Sequence, residues 1–470
     1  MAAADWDVII IGAGTAGLAV LREVSKQTDK ALIINAGAYG TTCARVGCMP
    51  SKVLIESARA VHDCNKLAGF GIAGGQQVEA DIPAVLRHVR ELRDHFVEGT
   101  VQATEGLGDR SIAGQARLVG PQAVEVNGQV HRAERIIIAT GSRPVMPAAW
   151  AALGDRVLTT DTLFEQADLP ARMAVIGLGP IGLEMAQALA YLGVAVHAFD
   201  KSSTLGGISD PKVEKALRDA LEKDFSIHTG VDVELHAQDD GVRVAAGDQS
   251  WEVDRVLVAV GRKPNVDSLN LECLDVALDD HGMPPFSVAT MQIGDLPVFI
   301  AGDVNHHAPI LHEAADEGYI AAHNALADQP AAFPRRTPMG IVFIEPGVAF
   351  VGQRFAELET GALIGEASFA SQGRAVAAQR NAGLMRIYAR GEDAVLIGAE
   401  MCVPAGEHMA HLLGLAISEG LTVRQVLRMP FYHPVLEEGL RSALRQIMKQ
   451  IPCDDTDLAR CGEFRIQALD

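Results

Sequence analysis

The chain alternates between short runs of uninterrupted apolar residues and longer segments whose apolar positions fall at helical spacing. One such unit opens the sequence, "DVIIIGAGTAGLAVLREV", and "MAVIGLGPIGLEMAQALA" repeats it from Met173. Each reads as a buried strand, a glycine turn and a helix. The glycines take the same G-x-G-x-x-G spacing in both copies: Gly12, Gly14 and Gly17, then Gly177, Gly179 and Gly182. In each unit a second apolar strand follows. "ALIIN" ends at Asn35 and "VAVHAFD" at Asp200, both 23 residues past the first glycine of their copy.

The pattern continues in parallel. Ile82 to Gly106 has helical periodicity, and "ARLVGPQAVEVNGQVHRAERIIIATG" reads as short strands returning to the sheet. "IIATGSRP" and "LVAVGRKP" end their units in the same strand–Gly–x–Arg–Pro device, which places boundaries near Pro147 and Asn265. "LPVFIAGDV" is a further strand ending at Gly302 and Asp303, followed by an Ala-rich helix from Pro309. Beyond "AAFPRRTP" the texture shifts to "IVFIEPGVAFVG" and "AVLIGAEMCV" with helices after them. The expected fold is α/β, with two Rossmann-like dinucleotide-binding domains and a C-terminal α/β domain. Its segments are 1–146, 147–266, 267–336 (completing the first domain) and 337–470.

The glycine spacing has a chemical meaning. The first glycine makes a tight turn, the second lets backbone approach a pyrophosphate, and the third lets helix and strand pack closely, with the anion at the helix N-terminus. One such fingerprint is weak; two in strand–turn–helix context predict two dinucleotide sites. Asp200 accepts a ribose 2′-hydroxyl and repels a 2′-phosphate, which favours NAD over NADP at the second site. Asn35 can still bond a ribose, without charge assistance.

Composition narrows the classes. With 470 residues the chain exceeds one core, and a net charge of −20 with pI ≈ 5.2 argues against nucleic acid and anionic membrane surfaces. The N-terminus lacks a basic region before its apolar run, and no apolar segment reaches the length of a membrane span, so a cytoplasmic protein is expected. Seven unevenly spaced cysteines do not form a secreted disulfide framework.

Two of them stand five apart in "GTTCARVGCMPSK", just after the first dinucleotide unit. Cys43 and Cys48 could be a structural staple, two metal ligands, or a disulfide made and broken in turnover. Close thiols in a cytosolic chain favour the last, and a flavin at the first site with a nicotinamide at the second would join thiol to hydride chemistry. The trio His306, His307 and His312 lacks a partner carboxylate motif, and no metal is expected. His408 and His411 read as a solvated helix face, and Cys64, Cys273 and Cys402 as buried or incidental thiols. Cys453 and Cys461 stand eight apart near the end of the chain, too far for an adjacent C-terminal redox pair.

"GTTCARVGCMPSK", with "VIIIGAGTAGL", "ATGSRP", "GLGPIGLE", "VGRKPN", "IAGDV" and "FYHPVLEEGL" in order around it, resembles the flavoprotein disulfide reductases, and within them the dihydrolipoyl dehydrogenases. The resemblance spans essentially the whole chain, and its C-x4-C block is far more specific than a glycine fingerprint. It implies FAD and NAD as cofactors and a Cys43–Cys48 redox disulfide opening a helix. Cys43 would be the interchange thiol and Cys48 the flavin-side thiolate. It implies that His433 acts as base and Glu438 orients it, both supplied by the other subunit of a homodimer; Glu437 is adjacent but off the family spacing. Lys52 would lie near the flavin with Glu184 as its carboxylate partner. Further flavin contacts would be Gly12, Gly14, Gly17, Asn35, Thr42, Ala116, Thr140, Gly141, Ser142, Asp303, Leu311 and His312. On the nicotinamide side the family positions are Gly177, Gly179, Ile181, Gly182, Glu184, Asp200, Gly261 and Arg262. The implied reaction is oxidation of a dihydrolipoyl group, free or on a protein of a 2-oxoacid dehydrogenase or glycine cleavage complex, with NAD⁺ as acceptor. The nearest alternative is an NADH- or NADPH-dependent reductase of glutathione or another small disulfide. Intact Cys43, Cys48, His433 and Glu438 speak against a non-enzymatic flavoprotein. The chain departs from the family at Asn35, where an acid is usual, and in "TTCARVGCMPSK", where "GTCLNVGCIPSK" is commoner.

Overall fold

The computed structural model describes residues 4–451. Trp6–Ile11 forms the centre of a parallel sheet, flanked by Ala31–Asn35 and Gln129–Ile138. Ser111–Ala113 extends one edge and Val298–Ile300 the other, so a strand from the third segment completes the first sheet. Val8, Ile9 and Ile10 are fully buried, because both faces are covered: helices Thr15–Val24 and Leu311–Leu326 pack on one, and strands Arg117–Gly120 and Ala123–Val126 with part of the segment 266–304 pack on the other. That two-sided burial is why "VIII" reads as a continuous run and not as an alternation. Helix Thr15–Val24 packs against helix Leu311–Leu326, and Gly318 permits the approach: a Cβ there would lie 2.6 Å from the Ala16 carbonyl oxygen.

The second unit repeats this plan around Arg172–Ile176. Ala195–Asp200 and Ser226–Thr229 lie to one side, Arg255–Val258 and Val157–Leu158 to the other, all parallel. A three-stranded antiparallel sheet, 234–253, covers part of it. The two Gly–x–Arg–Pro devices are each other's partners: Ser142–Pro144 pairs antiparallel with Arg262–Pro264.

The C-terminal segment forms a five-stranded antiparallel sheet in the order Met339–Val342, Gly347–Gly352, Leu396–Val403, Leu384–Ala389, Leu363–Ser368. Helices Gly406–Ser418 and Glu438–Met448 pack on it over a core that includes Met385, Ile387, Met401, Leu413 and Leu444. A buried polar network bolts this sheet to the second unit. Asp210, fully buried, accepts from the Arg386 guanidinium at 2.8 and 2.9 Å and from the Tyr388 hydroxyl at 2.9 Å. Glu400, also fully buried, accepts from the Asp210 amide at 2.9 Å and from Arg354 Nε at 2.9 Å.

Candidate active site

The two glycine turns are near copies, and the space around each glycine separates its roles. A Cβ on Gly12 would lie 2.2 Å from the Ala139 carbonyl oxygen, and one on Gly17 1.9 Å from that of Gly12. The matching distances for Gly177 and Gly182 are 2.4 Å, to Ala259, and 1.7 Å, to Gly177. Gly12 and Gly177 also hold φ of +113° and +97°, where side chains are strained. Gly14 and Gly179 are different: a Cβ on either meets nothing within 4 Å. Both are helix N-caps without a side-chain cap, so free N–H groups face open space. This is a cradle that a phosphate fits and a methyl group would fill.

Asn35 and Asp200 do the same local job. Asn35 Oδ1 accepts from the Ala13 amide at 3.1 Å, and Asp200 accepts from the Leu178 amide, each the residue after the first glycine. Asp200 also accepts from the Ser202 amide at 2.7 Å. Asn35 therefore preserves the turn, and what the first site lacks is only the charge.

A cavity of about 300 Å³ opens beside the first turn, lined by Gly12, Asn35, Ala116, Thr140, Arg143 and Asn265 among others. Thr140 donates to the Asn265 carbonyl at 2.8 Å, and Asn265 Nδ2 returns a bond to the Thr140 carbonyl. Ser142 donates to Asp303 at 3.0 Å. Gly141 adopts φ +66° and Thr42 is exposed at the start of its helix. Leu311 is exposed at the first turn of helix Leu311–Leu326, with His312 Nε2 3.7 Å from Glu313. Glu317, which sequence reasoning missed, is fully buried and accepts from the Gly302 amide and Asn305 Nδ2, both at 2.6 Å, fixing the loop that carries Asp303. Nothing in its spacing distinguishes it from Asp316 beside it.

A second cavity, about 580 Å³, is lined by Gly177, Gly179, Ile181, Asp200, Lys201 and Gly261 among others. Arg262 is not among its lining residues; the guanidinium reaches back to the first unit, donating to Ser142 Oγ at 2.8 Å and to the Ser142 carbonyl at 2.7 Å. Glu184 also faces away from it. Its Oε2 lies 2.8 Å from Lys52 Nζ, and its Oε1 accepts from the Phe343 amide at 3.0 Å.

The cysteines straddle a helix break instead of opening one helix together. Cys43 sits in the short helix Thr42–Val46, and Cys48 is the first residue of Cys48–Asn65. In a continuous helix, residues five apart point about 140° from each other. The break at Gly47, where a Cβ would lie 3.0 Å from the Thr42 carbonyl oxygen, brings the sulfurs together. Both are free thiols, Cys43 half-buried and Cys48 exposed. Their mutual hydrogen bond divides them. Donation from Cys43, with Lys52 and the helix N-terminus helping, lowers Cys48 from 9.0 to about 7, while the same bond and burial push Cys43 well up. The reduced pair thus carries its thiolate at Cys48 and its proton at Cys43.

His433 and Glu438 meet across the start of helix Glu438–Met448: His433 Nδ1 lies 3.1 Å from both carboxylate oxygens. That bond holds the Glu438 carboxyl below its ordinary value. The imidazole is 79% exposed, with Nε2 free of the carboxylate. Tyr432 beside it is 81% exposed. Among the described residues the ring's hydrogen-bond partner is Glu438, not a cysteine sulfur.

Cys402 is fully buried and Cys64 and Cys273 half-buried. His411 Nδ1 lies 2.6 Å from the Glu407 carbonyl oxygen of its own helix, and His408 is exposed. Among the described residues no group of three or more His, Cys, Asp or Glu could hold a metal, and no helix is long and apolar enough to cross a membrane. Cys453 and Cys461 lie outside the described residues.

The chain is similar to known proteins over nearly its whole length. The chain is 32% identical to a dihydrolipoyl dehydrogenase of Thermus scotoductus over 95% of its own length and 98% of that protein's. It is 28% identical to a mercuric reductase of Staphylococcus aureus, covering 95% of this chain and 83% of that one. A solved structure of the HOCl-induced flavoprotein disulfide reductase RclA of Escherichia coli, as its Cu(II) complex, superposes with a TM-score of 0.83 at 20% identity. That likeness covers 94% of this chain and 99% of the other, and shows the shared fold. Residues 6–327 match the pyridine nucleotide-disulphide oxidoreductase family and residues 339–444 its dimerisation domain. The chain belongs to the pyridine nucleotide-disulphide oxidoreductases, whose cofactors are FAD and a nicotinamide dinucleotide.

Proposed function

We propose that this chain is a homodimeric dihydrolipoyl dehydrogenase: it oxidises a dihydrolipoyl group, free or carried on another protein, with NAD⁺ as acceptor. The observation that carries the reading is the pair of free thiols, Cys43 and Cys48, brought together by the helix break at Gly47 and set between two phosphate cradles.

The first cradle would hold FAD through Gly12, Gly14, Gly17, Asn35 and Asp303, and the second NAD through Gly177, Gly179, Gly182 and Asp200. FAD, when bound, supplies two-electron transfer between the dithiol and NAD⁺. The chain's own residues do the rest. With Cys43 and Cys48 oxidised, a substrate thiolate attacks the Cys43 sulfur; the Cys43–Cys48 bond breaks and Cys48 leaves as a thiolate. The substrate's second thiol then loses its proton to His433 of the partner subunit and attacks its own sulfur in the mixed disulfide. The substrate departs oxidised, and the proton on His433 returns to Cys43. Cys48 is the better leaving group because Lys52 and the helix N-terminus stabilise its thiolate. Glu438 holds the imidazole through Nδ1 and leaves Nε2 for the thiol. Asp200 lines the second cavity at the end of its strand, where a carboxylate suits a ribose 2′-hydroxyl better than a 2′-phosphate, which supports NAD over NADP.

The test is turnover of dihydrolipoamide with NAD⁺, set against NADH-dependent reduction of glutathione disulfide. Cys43→Ser and Cys48→Ser should each abolish lipoamide turnover while NADH oxidation by artificial acceptors persists. Normal lipoamide turnover in either variant overturns the mechanism, and glutathione disulfide turnover without lipoamide turnover overturns the substrate.

A further inference from the structure

The helix Pro180–Tyr191 is buried along most of its length and packs with leucine, methionine and alanine. Two of its polar residues are nonetheless inside, Glu184 at 5% and Gln187 at 3% exposure. Buried polar groups need partners, and both bond the connection between strands Met339–Val342 and Gly347–Gly352 of the C-terminal sheet. Glu184 Oε1 accepts from the Phe343 amide at 3.0 Å. Gln187 accepts from the Glu345 amide at 2.8 Å and donates to the Glu345 carbonyl at 2.7 Å. The main chain is therefore clamped at Phe343 and Glu345.

What the clamp fixes is an aromatic ring. Lys52 Nζ lies 4.5 Å from the centroid of Phe343, while its ion pair with Glu184 is 2.8 Å long. Its other neighbour, Ser51 Oγ, is 3.5 Å away, too far to hold it. Within the chain, the ring and the Glu184 carboxylate are thus the two groups that seat the ammonium. Lys52 stands four residues after Cys48 on helix Cys48–Asn65, on the same face, where its charge favours the Cys48 thiolate.

We propose that Phe343 is a positioning residue for the thiol chemistry: clamped by Glu184 and Gln187, its ring seats the Lys52 ammonium and so sets the charge felt at Cys48. The C-terminal sheet thereby reaches the thiol pair from within the same chain, separately from His433. The proposal rests on the reading of Cys43 and Cys48 as a redox pair.

The experiment equilibrates the whole protein in oxidised and reduced dithiothreitol buffers from pH 5.5 to 9. Samples are quenched in acid and alkylated after denaturation, so that accessibility plays no part. Trypsin cuts after Arg45 and Lys52, so reduced Cys43 and Cys48 report on separate peptides and their disulfide joins the two. Below the Cys48 pKa, reduction takes up two protons per pair; above it, one. The pH of that change reports the thiolate directly.

Phe343→Leu, which keeps apolar bulk but removes the ring, should move the change upward by about half a pH unit. Above it, the equilibrium should favour the disulfide by about threefold. Phe343→Tyr should behave as wild type, and Lys52→Met should shift at least as far as Phe343→Leu. A Phe343→Leu protein identical to wild type overturns the proposal, as does a Phe343→Tyr protein shifted as far as Phe343→Leu. A wild-type protein that never forms the Cys43–Cys48 disulfide overturns the redox reading itself, which is a distinct result.

Discussion

The glycines of the second turn allow one substitution to be tried in two places with opposite expected results. In Gly179→Ala the new methyl meets nothing within 4 Å, and the native φ of −68° suits any residue. The free protein should lose under about 1 kcal/mol, the difference between glycine and alanine as an N-cap. The same methyl occupies the space into which a pyrophosphate must come to reach the helix N-terminus. Losing that approach removes part of a helix–anion interaction and one or more charge-assisted hydrogen bonds, about 1.5–3 kcal/mol together. NADH should bind about 10- to 150-fold more weakly. In Gly182→Ala the methyl would sit 1.7 Å from the Gly177 carbonyl oxygen, an overlap that only separation of strand and helix relieves. That variant should lose about 1–3 kcal/mol or more in stability. NADH titration by fluorescence, paired with urea unfolding of each variant, separates the two. Wild-type NADH affinity in Gly179→Ala, or a stability loss there equal to that of Gly182→Ala, would refute the assignment of roles.

Two further outcomes follow from the thiols and their base. Co-refolded Cys43→Ser and His433→Gln chains should recover about a quarter of wild-type lipoamide turnover, because half the random dimers are mixed and each has one intact site; activity no greater than the sum of the separate variants would place His433 and Cys43 in one chain. The second outcome concerns pH. Cys48 titrates lower in the folded protein than in the unfolded chain, so its contribution to the stability of the reduced protein is lost as pH falls from about 9 through about 7. Cys43 titrates higher when folded, so stability should fall again above pH 9. Thermal melts of the reduced protein should therefore rise from pH 6.5 to about 9 relative to the disulfide form, which has neither thiol to titrate; parallel curves would contradict the polarisation.

Sequence reasoning succeeded where chemistry imposes spacing. The equal offsets of Asn35 and Asp200 predicted matching positions, and both side chains accept from the amide after the first glycine. The two Gly–x–Arg–Pro segments were legible as copies, but not as strands paired with one another. That pairing directs the Arg262 guanidinium to Ser142, a bond that the family resemblance, which gave Arg262 as a nicotinamide-side position, did not indicate. The helix break between the cysteines escaped notice because a lone Gly47 in a helical pattern carries no special mark. The buried group of Asp210, Arg386, Tyr388 and Glu400 was also missed. Its members come from distant segments, and buried charges in pairs look in sequence like any surface charge.

The clamp on helix Pro180–Tyr191 bears on how this protein could be re-engineered. The nucleotide-binding unit looks like a cassette, bounded by the paired ribbon at Ser142–Pro144 and Arg262–Pro264, and so invites exchange for one of different coenzyme preference. Yet its helix supplies the carboxylate beside Lys52 and the amide that grips Glu345, while Asp210 anchors Arg386 of the next sheet. A graft chosen for its pocket alone would arrive without these residues and loosen the thiol site it was meant to serve. Coenzyme choice is better altered in place, at Asp200 and Lys201, than by transplanting the unit around them.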